Sequence, residues 1–216
     1  MSTKLAPPSE RSKVRRIAEN ARYDHATLYN ILDEAYVCHV AFQDEKGVHN
    51  IPTACWREGH HLYIHGSNGS RMIKQLLSGQ QACVTITHID GLVLARSAFN
   101  HSMNYRSAMI YGVFELVADA QAKQASLAIF MDKIAQGRQA EIRAGNEKEF
   151  AATTVLRISL DEAACKTRSG GPKDDEEDMQ IPVWAGVLPL RSQHQSAITD
   201  KHCVVAAPDY VQAWTN

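Results

Sequence analysis

The sequence predicts a mainly β protein, an antiparallel barrel or sandwich with peripheral helices. Three observations carry this. Six short runs rich in Val, Ile, Thr and aromatic residues crowd residues 36–118. Turn signals separate them at hairpin lengths: Asp44-Glu45-Lys46-Gly47, Glu58-Gly59 and Asp90-Gly91. Only one short helical pattern intervenes, whereas a parallel sheet needs a crossover of a dozen or more residues between strands.

The elements follow in order. Residues 1–22 read as an N-terminal arm, 23–190 as the main domain and 191–216 as a C-terminal extension. In the arm, Lys13, Arg15 and Arg16 sit beside acidic neighbours and read as a solvated surface. "DHATLYNILDEA" predicts a helix with Asp24 as N-cap and Leu28, Ile31 and Leu32 on one face. The strands are "YVCHVAFQ", "VHNIPTACWRE", "HLYIHG", "ACVTITHI", "GLVLARSAF" and "SAMIYGVFELVA". Asp90-Gly91, between two of them, predicts a two-residue hairpin turn. "AQAKQASLAIFMDKIAQG" predicts the long helix, with Leu127, Phe130, Met131 and Ile134 as its packing stripe and Gly137 as its stop. One last strand is expected near residues 153–167. The acidic run Asp174–Asp178 is a loop by composition, and "VWAGVLPL" (183–190) is an apolar strap that packs back.

Composition narrows the function. Apolar residues make up 44% of the 216 and charged residues 22%, as in ordinary globular proteins. Lys plus Arg (23) balance Asp plus Glu (24), so nothing draws the whole chain to nucleic acid or an anionic membrane, and a bound anion needs a local site. Five widely spaced cysteines without a Cys-x-x-Cys pattern suggest reduced thiols in the cytoplasm. The N-terminus has no apolar signal core, and no apolar run approaches the ~20 residues that span a bilayer.

"LYIHGSNGSRMIKQLLSG" (62–79) changes from strand to helix spacing across Gly66, Ser67, Asn68 and Gly69. With Ser70 as N-cap, Arg71, Met72 and Ile73 present the first free amides, while Met72, Ile73, Leu76 and Leu77 face the core. Ser67 and Ser70 add hydroxyls, Arg71 a planar fork suited to phosphate oxygens, and Gly66 and Gly69 close approach. This describes a phosphate cradle or, equally, a capped turn with a surface arginine. It matches neither the P-loop spacing nor G-x-G-x-x-G. Downstream, "ARSAFNHSMNYRSAMIYG" (95–112) carries Arg96 and Arg106 in a stretch with no carboxylate between Asp90 and Glu115. An external anion is the expected partner for both; structural salt bridges are the alternative.

"YIHGSNGSRM", "DGLVLARSAFNHSMNYRS", "CKTRSGGP" and "VWAGVLPL" together resemble the pyridoxamine 5'-phosphate oxidase-related flavoproteins, over about residues 20–190. The likeness is greatest to the branch with the 5-nitroimidazole-resistance (Nim-type) proteins. The resemblance implies an FMN-binding split β-barrel, a homodimer with FMN between the subunits. It implies that Ser70 and Arg71 hold the phosphate, that Asn104, Tyr105, Arg106 and Ser107 touch phosphate or ring, and that Pro52 and Thr53 line the isoalloxazine. Lys166, Arg168 and Trp184 would close the site from the partner subunit. Met72 stands where true pyridoxamine-phosphate oxidases have a lysine, which argues against vitamin B6 oxidation.

Ten histidines raise the question of metal, but no carboxylate or cysteine completes a zinc-like set with His60, His61 and His65, so no metal site is expected. His65, next to the cradle, is a candidate for the flavin edge or substrate. A haem-binding split barrel, which would need one exposed histidine ligand, is a minor alternative. The leading expectation is an FMN-dependent oxidoreductase that takes hydride from NADH or NADPH and reduces a small nitro or quinone-like acceptor. No residue stands out as a catalytic acid or base. A non-catalytic flavin carrier, sensor or scavenger is the alternative.

Overall fold

The computed structural model describes residues 5–215. Asp24 caps the first helix by accepting from the Thr27 amide at 2.8 Å, and α1 (His25–Glu34) turns Leu28, Ile31 and Leu32 inward. Ahead of it lies β1 (Ala21–Arg22); after it come β2 (Val37–Asp44), β3 (Gly47–Glu58) and β4 (His61–Ser67), then the short α2 (Arg71–Leu76). Strands β5 (Gln81–Leu94), β6 (Ser102–Val113) and β7 (Glu115–Leu116) follow, and then α3 (Ala120–Ile134) and α4 (Glu147–Ala152). The chain continues through β8 (Thr153–Ser159), β9 (Ala163–Arg168), β10 (Gly186–Pro189) and α5 (Asp209–Gln212).

The strands form one antiparallel sheet in the order β1-β9-β6-β5-β2-β3-β4-β8-β7, with β10 added to β5. The long β5 divides one edge between two partners: residues 83–85 pair with β2, and residues 91–94 with β10. This is a split barrel, mainly β with few helices, as expected. Its interior is a continuous core that includes Val40, Leu62, Ile64, Ile73, Val84, Ile110 and Leu156, each worth about 1.5–3 kcal/mol of burial. A second cluster of Trp56, Tyr63, Val117 and Val155 lies under α3, closed by Leu127 and Phe130.

Four expectations change. Asp90-Gly91 makes no hairpin: β5 runs straight through it with a register shift between Ile89 and Gly91, and the real connection is residues 95–101. The glycine serves a close approach instead, since a Cβ there would meet the Leu188 carbonyl oxygen of β10 at 3.0 Å. The expected strand at 153–167 is two strands with a turn at Leu160–Glu162. Leu77 is exposed rather than buried, because α2 ends at Leu76. Ile134 is exposed too; α3 packs through Ser126, Leu127 and Phe130 instead.

Because side chains alternate along a strand, the register defines an outer face of the sheet. His39 pairs with Pro52 and Thr85, Thr85 with Met109, and Met109 with Ala164. Val37, Ile89, Leu92, Met103, Met109 and Leu188 are exposed across this face.

Candidate functional site

The cradle is built where β4 gives way to α2. Gly66 admits the helix: a Cβ there would sit 2.9 Å from Ile73 Cγ1. Gly69 has no such role, since its nearest neighbour would be Ser67 Oγ at 3.7 Å. Asn68 ties the turn to its neighbours, donating to the Ala151 carbonyl at 2.8 Å and accepting from Thr154 Oγ1 at 2.7 Å. Ser67 Oγ accepts from the Gly69 amide at 3.3 Å, and Ser70 Oγ accepts from the Ile73 amide at 3.5 Å. Both hydroxyls act as acceptors in these bonds, so each keeps its own proton to donate to an anion.

Arg71 is 49% exposed along its side chain, 3.8 Å from an Asp44 oxygen and 3.4 Å from His49 Nδ1. The firmer bond is His49 Nε2 to Asp44 Oδ1 at 2.7 Å. That bond, helped by the Lys46 amide and the Arg71 charge, holds the Asp44 carboxyl below its usual range. Arg71 therefore leans on a carboxylate without a close contact and can turn to an incoming phosphate. Sequence reasoning missed Asp44 and His49. The signal was the Asp44–Gly47 turn, whose tight hairpin folds β3 back so that His49 reaches Asp44.

On the outer face, Ser107 pairs with Thr87 and Lys166, and the alternation places Pro52, His65, Ser67, Tyr105, Ser107 and Lys166 on that one side. Thr53, Asn104 and Arg106 lie on the other. His65 is the chemically open member: its Nδ1 is buried with no hydrogen-bond partner. Its ring lies against Phe130 at 4.9 Å and Trp56 at 5.8 Å between centroids. Burial pushes its pKa down, so the imidazole is neutral at pH 7. Among the described residues, no group of three or more His, Cys, Asp and Glu is placed to hold a metal ion.

Other candidates have structural partners. Arg106 faces α1 and is claimed by Asp90 and Glu34. Arg96 donates to Asp174 through its amide and Nη1, both at 2.8 Å. The expected anion deficit is thus filled by Asp174 and Glu34, distant in sequence, and by Asp90 at the edge of the carboxylate-free stretch. Asn104 and Arg168 form a pair at 2.5 Å, and both donate to the Gly170 carbonyl, fixing the Gly170-Gly171 turn. Trp184 is 62% exposed, its ring folded over Gly186.

The sequence profile described as pyridoxamine 5'-phosphate oxidase matches residues 24–167. The chain belongs to the pyridoxamine 5'-phosphate oxidase family. Among solved structures of this flavin-binding split-barrel family, the chain is similar to the flavocytochrome Anf3 from Azotobacter vinelandii. The two share 39% identity over 97% of this chain and 99% of that one, with a TM-score of 0.93. A FAD and heme binding protein from Mycobacterium smegmatis shares 35% identity over 91% and 97%, with a TM-score of 0.86. A protein assigned to 5-nitroimidazole antibiotic resistance, from Bacteroides thetaiotaomicron, shares 22% identity over 68% and 85% at a TM-score of 0.57, a likeness of fold. Among curated proteins nothing matches.

Proposed function

We propose that this protein is a flavin-dependent oxidoreductase that carries haem as well as flavin and works as a homodimer. The flavin phosphate sits at Ser67, Ser70 and Arg71, which offer two hydroxyl protons and one loosely held guanidinium. Pro52, Tyr105, Ser107 and Lys166 share the face that would lie along the ring. Trp184, exposed in its own chain, and the half-buried Lys166 and Arg168 are the residues offered to a second subunit.

The observation that carries the haem is His65. His65 is half-buried and neutral: the aromatic wall encloses its Nδ1, and the other ring nitrogen is the one left to serve as a haem-iron ligand. The 39% identical relative is a flavocytochrome and the 35% identical one binds FAD and haem, which supports the pairing and favours FAD over the FMN suggested by the sequence. Haem, when bound, supplies one-electron transfer beside the two-electron flavin. His65 would hold it, while Trp56 and Phe130 keep water from the ring. Electrons enter as hydride from a nicotinamide and leave to a small acceptor of the nitro or quinone type.

Reconstitution tests this. Protein loaded with haem and flavin should show a Soret band that His65→Ala abolishes and His39→Ala keeps. Extracted flavin should run as FAD, and NADH or NADPH should reduce it. A flavin-loaded protein that takes up no haem leaves an FMN- or FAD-only reductase; bound flavin that no nicotinamide reduces leaves the carrier reading.

A further inference from the structure

Tyr29 of α1, His60 of the β3–β4 turn and Asp161 of the β8–β9 turn join into one hydrogen-bonded chain. Tyr29 Oη lies 2.8 Å from His60 Nδ1, and His60 Nε2 lies 3.1 Å from Asp161 Oδ1. The other Asp161 oxygen accepts from Ser159 Oγ at 2.6 Å. That hydroxyl first, and the neighbouring His60 and His61 next, hold the Asp161 carboxyl below its usual range. An ionised carboxylate can only accept, so in a neutral imidazole the proton belongs on Nε2. Nδ1 is then the base that receives the Tyr29 O–H.

The surroundings fix this arrangement from both sides. The Arg57 guanidinium carbon stands 4.1 Å from the centre of the Tyr29 ring, itself forked onto Asp33 at 2.8 and 2.7 Å. His25 stacks on Tyr29 at 5.6 Å and lies 4.6 Å from His60. A cavity of about 180 Å³ lies on the Asp161 side, lined by His25, Leu28, Leu160 and Asp161 among others but not by Tyr29 or His60. Tyr29 and His60 are half-buried, open enough for attack and enclosed enough to keep their geometry. The site is remote from the cradle: His61 begins β4 and Ser67 ends it, a span of about 20 Å at the usual strand rise.

A nucleophile bonded to a base, and that base bonded to an orienting carboxylate, is the arrangement that activates hydroxyl groups for covalent catalysis. We propose that Tyr29 is an activated nucleophile that accepts small acyl groups from activated carboxylic esters, with His60 as its base and Asp161 orienting that base. As Tyr29 Oη bonds to the carbonyl carbon, its proton passes to His60 Nδ1. The bond from that carbon to the leaving oxygen breaks, and the leaving oxygen takes the proton from His60. The products are the Tyr29 ester and the free alcohol or phenol. No electrons are transferred.

The full-length protein should be mixed with p-nitrophenyl acetate. The expected result is a burst of about one p-nitrophenolate per chain, with a single acetyl group mapped to Tyr29 by peptide mass spectrometry. Tyr29→Phe should abolish the burst. His60→Gln should slow acetylation of Tyr29 by about 100-fold or more, the usual worth of a positioned base. Asp161→Asn, on an exposed turn side chain, should slow it less and keeps the test open where His60→Gln fails to fold. Acetyl groups on lysines or His25 with Tyr29 unmodified, a burst that survives Tyr29→Phe, or parental rates in both His60→Gln and Asp161→Asn would overturn the proposal.

Discussion

Arg106 grips Asp90 in a fork: Nε donates to both carboxylate oxygens, at 2.9 and 3.2 Å, and Nη2 to one of them at 2.8 Å. Glu34 of α1 takes the rest of the guanidinium, so one arginine pins the first helix to the β5 bulge. A guanidinium saturated by two carboxylates has no charge left for a phosphate. Arg106→Ala should therefore act on stability and not on flavin. The groups are a third or more exposed, so the loss should be about 1–2 kcal/mol, read from urea unfolding. Lost flavin affinity with unchanged stability would return Arg106 to the cofactor site.

The same network sets an acid response. The Arg106 guanidinium holds both Glu34 and Asp90 below their ordinary values of 4.5 and 3.8. A carboxyl lowered in the folded state contributes stability that is complete above its unfolded value and is lost as pH falls through the folded one. The gap between parent and Arg106→Ala should be constant from pH 7 to about 5 and should close below about pH 4. Unfolding curves at a series of pH values measure it, and a gap that widens in acid would reverse the sign.

Arg71 should behave in the opposite way. It is exposed, and its contact to Asp44 is long. Arg71→Ala should leave the melting temperature alone and weaken flavin binding by about 1.5–3 kcal/mol, the worth of a hydrogen bond to a charged group. Arg71→Lys should recover only part of this, because an ammonium lacks the fork. Riboflavin, without a phosphate, should bind parent and variant equally in a fluorescence titration.

These contrasts show what a sequence can and cannot state. Local chemistry was legible: the Asp24 and Ser70 caps, the period-two strands, and the Ser67–Arg71 turn depend on residues a few positions apart. Partnerships across the fold were not. Arg96 reaches Asp174 across 78 positions and Arg106 reaches Glu34 across 72 as well as Asp90 at the window's edge, so a window without carboxylates did not leave either arginine unpaired. Asp90-Gly91 misled for a related reason. Its glycine makes room for a strand that arrives almost a hundred residues later in the chain, and turn propensity cannot distinguish that demand from a hairpin. His65 was legible as a histidine beside the cradle, but its unpartnered nitrogen depends on Phe130 of α3 and Trp56 of β3 closing around it.

The outer sheet face leads to the last prediction. Met109 sits in its middle, 41% exposed, between Thr85 on β5 and Ala164 on β9. Ile89, Leu92, Met103 and Leu188 are exposed toward one end of the same face, with Thr87, Ser107 and Lys166 between them and Met109, and monomeric proteins seldom leave such an apolar group bare. Met109→Asp would place a charge in the middle of the face, beside that apolar group, without touching the core, since the side chain points away from the barrel interior. The parent should sediment as a dimer and the variant as a folded monomer with an unchanged circular dichroism spectrum. If flavin bridges both subunits, it stabilises the dimer by mass action, and the variant should lose affinity for it in parallel. A parent that sediments as a monomer while holding flavin tightly would show that one chain completes the site, with Trp184, Lys166 and Arg168 outside it.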